Sequence, residues 1–395
     1  MHPDSILRKL FERGERARLS GSTRTIRESF NASTSPYWRL TVVDRDAFHQ
    51  RMKAASAAGG ARLEWARQGG DDRPLDAVCL MDLDRLAEFL GADTVENRVA
   101  VAQRVLEPWI DRYPRVGELL GAWRQLKTIR SFGPESAADF GDALRVLDAV
   151  QADTLEDHVL RSFSVATFND SKRLEGLDRH LDVLTSDILG APPRHASEVF
   201  ALLGLSKEPQ PFLVAGIGSI ALNFDESCPI VAPFVGVAND AVTGYAGSPA
   251  WVLTIENLTT FHVAAKLLAR THGYGLVIFT AGMPSPRWCK AYATLLAGVP
   301  KDVTAYHWGD IDDGGFRIAA HIRKSCIEGG RSYQPWLMDA SCQQSADVEQ
   351  DDEKLRKAMV RSALAAGWSE LAWRIRGVAV EQEGLTVSLP TWANH

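Results

Sequence analysis

The chain has 395 residues, 45% of them hydrophobic and 24% charged, and a formal net charge of −6 at pH 7. This composition is typical of a globular protein with room for two or three domains, and the net charge argues against a uniformly basic nucleic-acid binder. Five scattered cysteines without a CxxC pair argue against a disulfide framework or structural zinc. No apolar run approaches a membrane span or a signal core, so we expect a cytoplasmic protein without membrane contact.

The first 29 residues form a mildly basic segment, with seven Lys or Arg against four acidic residues. This excess is typical of a solvated helix face, and it would also suit an arm that contacts phosphates. Both interpretations stay open. If the segment binds DNA, the contacts are expected from Arg8, Lys9, Arg13, Arg16 and Arg18.

Residues 38–90 predict a helix ended by glycine, then strand, turn, strand and a further short helix. This order is typical of a winged-helix module and of many other small α+β pieces. Residues 95–205 are predicted to be mostly helical, with a break near 186–197. Residues 206–250 contain short apolar runs interrupted by Gly and Pro, which favour strands and loops.

From residue 250 onward, buried-strand patterns alternate with amphipathic helices. Strands are predicted at AWVLTI, LVIFT and TAYHW, with YQPWLMD as a fourth. Strands that alternate with helices at this spacing predict parallel βαβ units. In such sheets, ligands bind beyond the carboxyl ends of the strands.

Acidic residues stand at two of these predicted strand ends. Glu256 follows the first strand, Gly282 follows the second, and Asp310 and Asp312 follow the third. If the strands are neighbours, the three carboxylates converge, with Asp310 and Asp312 on one side of an extended segment. Oxygen ligands of this kind suit a hard divalent cation, and a helix predicted to begin near Gly315 would favour a phosphate beside it.

These motifs also have other interpretations. A lone DxD is usually a polar turn or a helix cap. It also occurs in glycosyltransferases and phosphatases, but an assignment to either class would not explain Glu256 and Gly282. GIGSIA at 216–221 fits a dinucleotide fingerprint, but a proline-containing stretch follows where a helix is required. We interpret His307 as packed or hydrogen-bonded rather than catalytic.

The order Glu, Gly and DxD on successive βα units resembles the Toprim fold of topoisomerases, primases and nucleases. The segments IENLTTF, AGMPSP and WGDIDDGGFRI resemble the C-terminal domain of the JetD/MksG nucleases. These are effector subunits of the bacterial Wadjet (MksBEFG) SMC-like plasmid-defence systems and are distantly similar to one of the proteins that form topoisomerase VI. The resemblance is strong over 250–325, fair over 160–205 and 375–386, and weak in the N-terminal third.

The resemblance implies an α/β, multidomain α+β protein with a C-terminal Toprim domain, a Rossmann-like parallel βαβ sheet. We expect a winged-helix-like arm region at 1–130, a helical and CAP-like linker domain at 131–245, and the Toprim catalytic domain at 246–395. By resemblance, the catalytic and metal-binding carboxylates are Glu256, Asp310 and Asp312. Expected neighbours of the site are Asn257, Gly282, Ser285, Asp313, Glu381 and Glu383.

The implied activity is Mg²⁺- or Mn²⁺-dependent hydrolysis of double-stranded plasmid DNA by a homodimer. The implied partners are an SMC-like MksB/JetC-type complex with kleisin and winged-helix subunits. A topoisomerase-like strand transfer would need a nucleophilic tyrosine, and neither Tyr37 nor Tyr113 lies in the expected motif. A non-catalytic DNA-binding or assembly role is the remaining alternative.

Overall fold

A computed structural model describes residues 1–68, 73–152, 157–328, 330–339 and 352–391. The chain divides into two compact units, one formed by Met1–Asp142 and Ser186–Ala191 and the other by Ala143–Thr185 and Pro192–His395. The protein mixes helices with parallel and antiparallel strands, which confirms the expected α/β class. The three-domain boundaries at 130 and 245 stay a prediction.

The first unit begins with a small sheet covered by helices. Its elements are α1 (Pro3–Leu19), β1 (Arg27–Ser29), α2 (Val42–Ala57), β2 (Ala61–Trp65), β3 (Leu75–Leu80), α3 (Leu83–Leu90), α4 (Val95–Leu106) and α5 (Pro114–Arg124). The strands are antiparallel in the order β1-β3-β2. The helix, strand, turn, strand order predicted for residues 38–90 is therefore confirmed.

Apolar positions on α1 to α3 pack against this sheet. Leu7, Leu10, Phe48 and Leu86 are fully buried there and belong to one core cluster. Burial of each such side chain contributes roughly 1.5–3 kcal/mol relative to exposure. Asp82 starts α3 by accepting backbone N–H bonds, and Gly91 ends it in the left-handed conformation.

Helix α6 (Ala137–Ala152) runs across the division between the units. The second unit then continues with β4 (His158–Val159), α7 (Leu160–Phe168), α8 (Asp178–Thr185), α9 (Ala196–Leu202), β5 (Leu205–Ser206), β6 (Phe212–Gly216), β7 (Ser219–Leu222), β8 (Ser227–Pro229), β9 (Val235–Val237) and β10 (Val242–Ala246). The segment GIGSIA is the β6–β7 connection with the start of β7 and leads into another strand. Among the described residues, no α-helix begins directly after the motif, as the sequence predicts.

The alternating pattern after residue 250 folds as predicted. It comprises β11 (Trp251–Ile255), α10 (Leu258–Thr271), β12 (Gly275–Phe279), α11 (Pro286–Ala297), β13 (Thr304–Trp308), α12 (Asp313–Glu328), β14 (Tyr333–Pro335), α13 (Glu353–Ala365) and α14 (Ser369–Ala372). These strands join β6 and β9 in a sheet with the order β14-β13-β11-β12-β6-β9. The four strands β11 to β14 are parallel, and β6 is antiparallel to β12.

The middle of this sheet is the core of the second unit. Every residue of β11 and β12 is buried, and helices α10 and α11 place residues such as Phe261 and Tyr292 in the same core. Cys79, Cys228, Cys289 and Cys326 are free thiols, and Cys342 lies outside the described residues. In the part of the chain that the structure describes, no helix combines the length and apolarity needed to cross a membrane.

Candidate functional site

The carboxyl ends of β11, β12 and β13 lie side by side, as predicted. Ile255 pairs in register with Phe279 on one side and with Trp308 on the other. Glu256, Thr280 and Gly309 therefore leave the sheet at the same level. The buried strands fix this level, because their apolar side chains pack on both faces of the sheet.

Glu256 and Asp310 meet directly at this edge. The Glu256 backbone N–H donates to the Trp308 carbonyl at 3.1 Å, and its Oε2 accepts from the Asp310 backbone N–H at 3.2 Å. Burial is the main cause that raises the pKa of Glu256 to about 8. The nearby Asp310 charge also raises this pKa, and the hydrogen bond from the Asp310 N–H lowers it by less. The ionised form of Glu256 is therefore disfavoured unless a positive charge lies nearby.

Asp310 shows the same electrostatic state in weaker form. Its Oδ1 accepts from the Gln382 backbone N–H at 2.6 Å. Burial raises the pKa of Asp310 to about 6, helped by the charges of Glu381, Asp312 and Glu383 and opposed by the Gln382 N–H. A cation beside these carboxyls would relieve both the burial cost and the mutual repulsion.

Gln382 connects the late segment of the chain to both strand ends, and the sequence did not single it out. The side chain is 1% exposed; its Nε2 donates to the Trp308 carbonyl at 2.7 Å and its Oε1 accepts from the Asn257 N–H at 2.9 Å. The neighbouring Glu383 accepts from the Asn257 Nδ2 at 3.0 Å, whereas Glu381 is exposed. The acids on either side were the expected neighbours of the site, but the neutral amide between them makes the closer contacts.

Asn257 is mainly a helix cap. Its Oδ1 accepts from the backbone N–H groups of Thr259 and Thr260 and so begins α10 beside Glu256. The residue is near the site, as expected, and its amide links α10 to Glu383.

Asp312 and Asp313 differ from Asp310 in their contacts. Asp312 Oδ1 accepts from the Gly315 N–H at 2.7 Å, which starts α12 at Asp313, two residues before the predicted start at Gly315. Asp313 pairs with Arg317 and accepts from Ser362 Oγ at 2.7 Å. Ile311 between the two strand-end acids is buried, whereas Asp310 and Asp312 are partly exposed, and the expectation that both acids share one side stays a prediction.

Gly282 forms the turn after β12. Ala281 and Gly282 both have positive φ, 60° and 72°, and the Gly282 N–H approaches the Glu256 carbonyl at 3.4 Å. Glycine accommodates this conformation without strain. Ser285 caps α11 through the Trp288 N–H and donates its hydroxyl to Asp157 Oδ2 at 3.0 Å.

A cavity of about 490 Å³ opens in front of the acidic edge. Its lining includes Glu256, Gly282, Asp312, Gly314 and Arg317. Arg317 is held by a two-bond ion pair with Glu198, at 2.7 Å for each bond. The cavity therefore joins carboxylates, the start of α12 and a guanidinium.

Two family models match the chain, one over the C-terminal residues that include the acidic edge and one over the N-terminal residues. A model described as "Wadjet protein JetD, C-terminal" matches residues 232–389, and one for an uncharacterised N-terminal region conserved in bacteria matches residues 5–186. The chain belongs to the JetD family. The Wadjet protein JetD of Bacillus cereus (strain Q1) is 31% identical over 93 residues, which span 23% of this chain and 20% of that relative. The match thus spans about one fifth of the relative's length.

The donor atoms of this JetD-family chain suit a hard cation, although they are not assembled as a complete ligand set. Among the described residues, no three Asp, Glu, His or Cys side chains converge closely enough to hold a metal ion. Asp312 is directed to the helix start instead. Mg²⁺ commonly binds to one or two protein carboxylates together with waters and phosphate oxygens. Glu256 and Asp310 alone would therefore be enough protein ligands for this ion.

The five basic residues that were predicted to contact DNA all lie on helix α1, and some of them form ion pairs. Lys9 and Arg13 contact Glu28, and Arg18 contacts Asp84 and Glu96. Arg8 and Arg16 are exposed, with no ion pair to another described residue. Exposed ion pairs contribute little energy and exchange readily, so the DNA-binding role of this helix stays a prediction.

Proposed function

We propose that this JetD-family chain is a divalent-metal-dependent DNA endonuclease with a Toprim-type site. The observation that carries the proposal is the meeting of Glu256 and Asp310 at the carboxyl ends of two neighbouring parallel strands. Both carboxyls have raised pKa values, and Glu256 lines a cavity at the start of α12 together with Asp312. Such an arrangement favours a cation together with a phosphate.

Glu256 and Asp310 would hold Mg²⁺ or Mn²⁺, with Asp312 joining them when its carboxylate leaves the helix start. The bound ion would polarise a phosphate oxygen and stabilise the leaving oxygen. The N–H groups at the start of α12 favour the negative phosphate there. By the resemblance, Glu256 would also assist proton transfer with the attacking water or the leaving oxygen.

Hydrolysis fits the chain better than a covalent tyrosine intermediate. Tyr37 is fully buried, and its hydroxyl accepts from the Leu75 N–H at 2.9 Å and contacts His49. Burial also raises its pKa, which disfavours the phenolate nucleophile. We therefore infer that water is the nucleophile.

The matched relative's name, Wadjet protein JetD, supports a role in a Wadjet system. From the resemblance of the C-terminal motifs, we propose that this role is that of the effector component of an SMC-like plasmid-defence complex. We propose double-stranded plasmid DNA as the substrate, an SMC-type complex with kleisin and winged-helix subunits as the partner, and a cytoplasmic homodimer as the active form. A double-strand break needs two sites, because one site of this kind cuts one strand.

Cleavage of closed-circular plasmid tests the proposal. Glu256→Gln and Asp310→Asn each remove one charge at constant size, and each should lower the cleavage rate by about 100-fold or more with Mg²⁺ or Mn²⁺ in the presence of the cognate SMC complex. Glu353→Gln is a matched control, because Glu353 is an exposed acid at the start of α13 that pairs only with Arg356 and Lys357 among the described residues.

Wild-type rates in both active-site variants would refute the site assignment. Metal-independent DNA binding with no cleavage by the wild type under any partner condition would instead support a non-catalytic assembly role.

A further inference from the structure

Helix α13 forms part of the wall of the cavity at the acidic edge. Leu355 lines this cavity, and Ser362 Oγ donates to Asp313, at the start of α12, at 2.7 Å. Met359 lies on the same helical face as these two residues and is fully buried. This inner face fixes α13 beside the carboxylates, so the charges on its outer face are held next to a substrate bound there.

The outer face of α13 carries three cations. Lys354, Lys357 and Arg361 are exposed, and their spacing of three and four residues places them on one side of the helix, opposite the buried face. Lys354 and Arg361 form no ion pair with another described residue. Lys357 contacts Glu353 at 3.4 Å, in an exposed pair that exchanges readily. The three charges are therefore available to a partner.

The charge of this part of the chain is opposite to that of the whole chain. Residues 353–376 contain six Lys or Arg (354, 356, 357, 361, 374 and 376) against two acids (353 and 370), whereas the net charge of the chain is −6. Asp352, just before them, is occupied as the helix cap, since it accepts the Lys354 and Leu355 N–H groups. A helix face that only meets water usually mixes both signs, so this excess favours an anionic partner.

The acidic edge needs cations nearby if it is to hold DNA. Its three strand-end carboxylates repel phosphates, and one divalent ion offsets only two of their charges. Arg317 lines the cavity, but Glu198 and Asp313 already pair with it. The phosphates on either side of the cleaved bond must therefore meet cations outside the cavity, and α13 borders it.

We propose that the outer face of α13, formed by Lys354, Lys357 and Arg361, binds the phosphate backbone of duplex DNA next to the scissile phosphate. The three cations span about 10 Å along the helix axis. This length equals about three steps of a DNA strand, at about 3.4 Å each. Such contacts position DNA without reading its sequence. The inference rests on the proposed nuclease function and assigns a binding surface to it.

An acidic surface of a protein partner carries the same sign of charge as DNA. The duplex is favoured because the cavity that α13 borders must hold a phosphodiester, and the phosphates next to it then lie against this helix. The experiment separates the two partners.

Binding of a short duplex is measured by fluorescence anisotropy in EDTA, over a range of NaCl concentrations, so that no cleavage occurs. In Lys354→Gln/Arg361→Gln the slope of log K against log salt should become shallower by about 2, since each phosphate contact contributes roughly 0.9. The affinity at low salt should fall by about tenfold or more.

Arg270→Gln/Lys301→Gln is the matched control. It also removes one Lys and one Arg, both exposed, but these residues lie at the end of α10 and before β13, where the strands have their amino ends. It should keep the wild-type slope. Exposed side chains are replaced in both variants, and glutamine is a good helix former, so both should unfold at the wild-type urea concentration.

An unchanged slope in Lys354→Gln/Arg361→Gln, or an equal change in both double variants, would overturn the proposal. So would wild-type DNA binding together with lost binding to the cognate SMC complex, which would assign the face to an acidic protein partner. Glu256→Gln separates this inference from the nuclease assignment, because it leaves the cations in place and should keep the slope. Wild-type plasmid cleavage by Glu256→Gln would refute the nuclease site and leave the binding surface standing.

Discussion

Ionisation of the buried Glu256 carboxyl lowers the stability of the folded protein, so the free energy of unfolding depends on pH. The pKa rises from an ordinary 4.5 to about 8, chiefly through burial. Between these values the folded state binds more protons than the unfolded chain, so the free energy of unfolding falls as the pH rises through this window. Below the ordinary pKa both states are protonated and the penalty vanishes.

We predict that Glu256→Gln is more stable than the wild type at pH 8, by on the order of 1–3 kcal/mol, and nearly equal to it at pH 4.5. Urea unfolding in EDTA at the two pH values measures the difference. Addition of Mg²⁺ at pH 8 should raise the stability of the wild type more than that of the variant. A stability difference that does not change with pH would contradict the assigned electrostatics of Glu256.

His307 gives the opposite slope and must be separated from Glu256. It is fully buried, its Nδ1 contacts the Thr254 hydroxyl at 2.9 Å, and burial lowers its pKa from 6.5 to about 3. Its contribution to stability is present above pH 6.5 and is lost as the pH falls towards 3. Both proteins contain His307, so its effect cancels in their difference.

At the scale of elements, the segment around Gln382 is a clamp across the ends of β11 and β13. The side-chain amide is bonded to the Trp308 carbonyl and the Asn257 N–H, while its backbone N–H holds Asp310. Val380 and Ile311 form a two-way backbone bridge in the same place. The position of Asp310 therefore depends on chain that follows it by about seventy residues.

We predict that Gln382→Ala lowers the free energy of unfolding by about 1–3 kcal/mol, because it leaves the Asn257 backbone N–H without this partner and removes one of the two hydrogen bonds to the Trp308 carbonyl. Glu381→Ala, at the exposed neighbouring position, should change stability by less than about 0.5 kcal/mol. Urea unfolding of both variants at pH 7 decides the comparison. If the two substitutions cost the same, the clamp contributes nothing beyond an ordinary loop.

The same elements show what the sequence can and cannot predict. The three parallel strands β11, β12 and β13 were predictable, because unbroken apolar strands alternate with amphipathic helices. Their order in the sheet, β13-β11-β12, was not predicted. The clamp was not, since Gln382 is neutral and lies 125 residues after Asn257 in an irregular segment. Asp312 was ambiguous for a physical reason: a carboxylate before a helix can cap it or bind a metal, and the residue pattern is the same.

At the scale of the whole molecule, the net charge of −6 is no guide to DNA binding. The proposed contacts with phosphate are local: the acidic edge with its cation, the start of α12 and the exposed cations of α1. Salt should weaken such contacts in proportion to the number of phosphates that the protein neutralises.

The last prediction concerns the proposed dimer. If each protomer cuts one strand, a dimer of one wild-type and one Glu256→Gln protomer should nick closed-circular plasmid and should not linearise it efficiently. The mixed dimer is isolated through two different affinity tags, and its products are compared with those of both pure dimers in the presence of the SMC complex. The pure wild type should give linear DNA and the pure variant should leave the plasmid closed. Linear product from the mixed dimer at the wild-type rate would mean that one site makes both cuts, because the second site is inactive in that assembly.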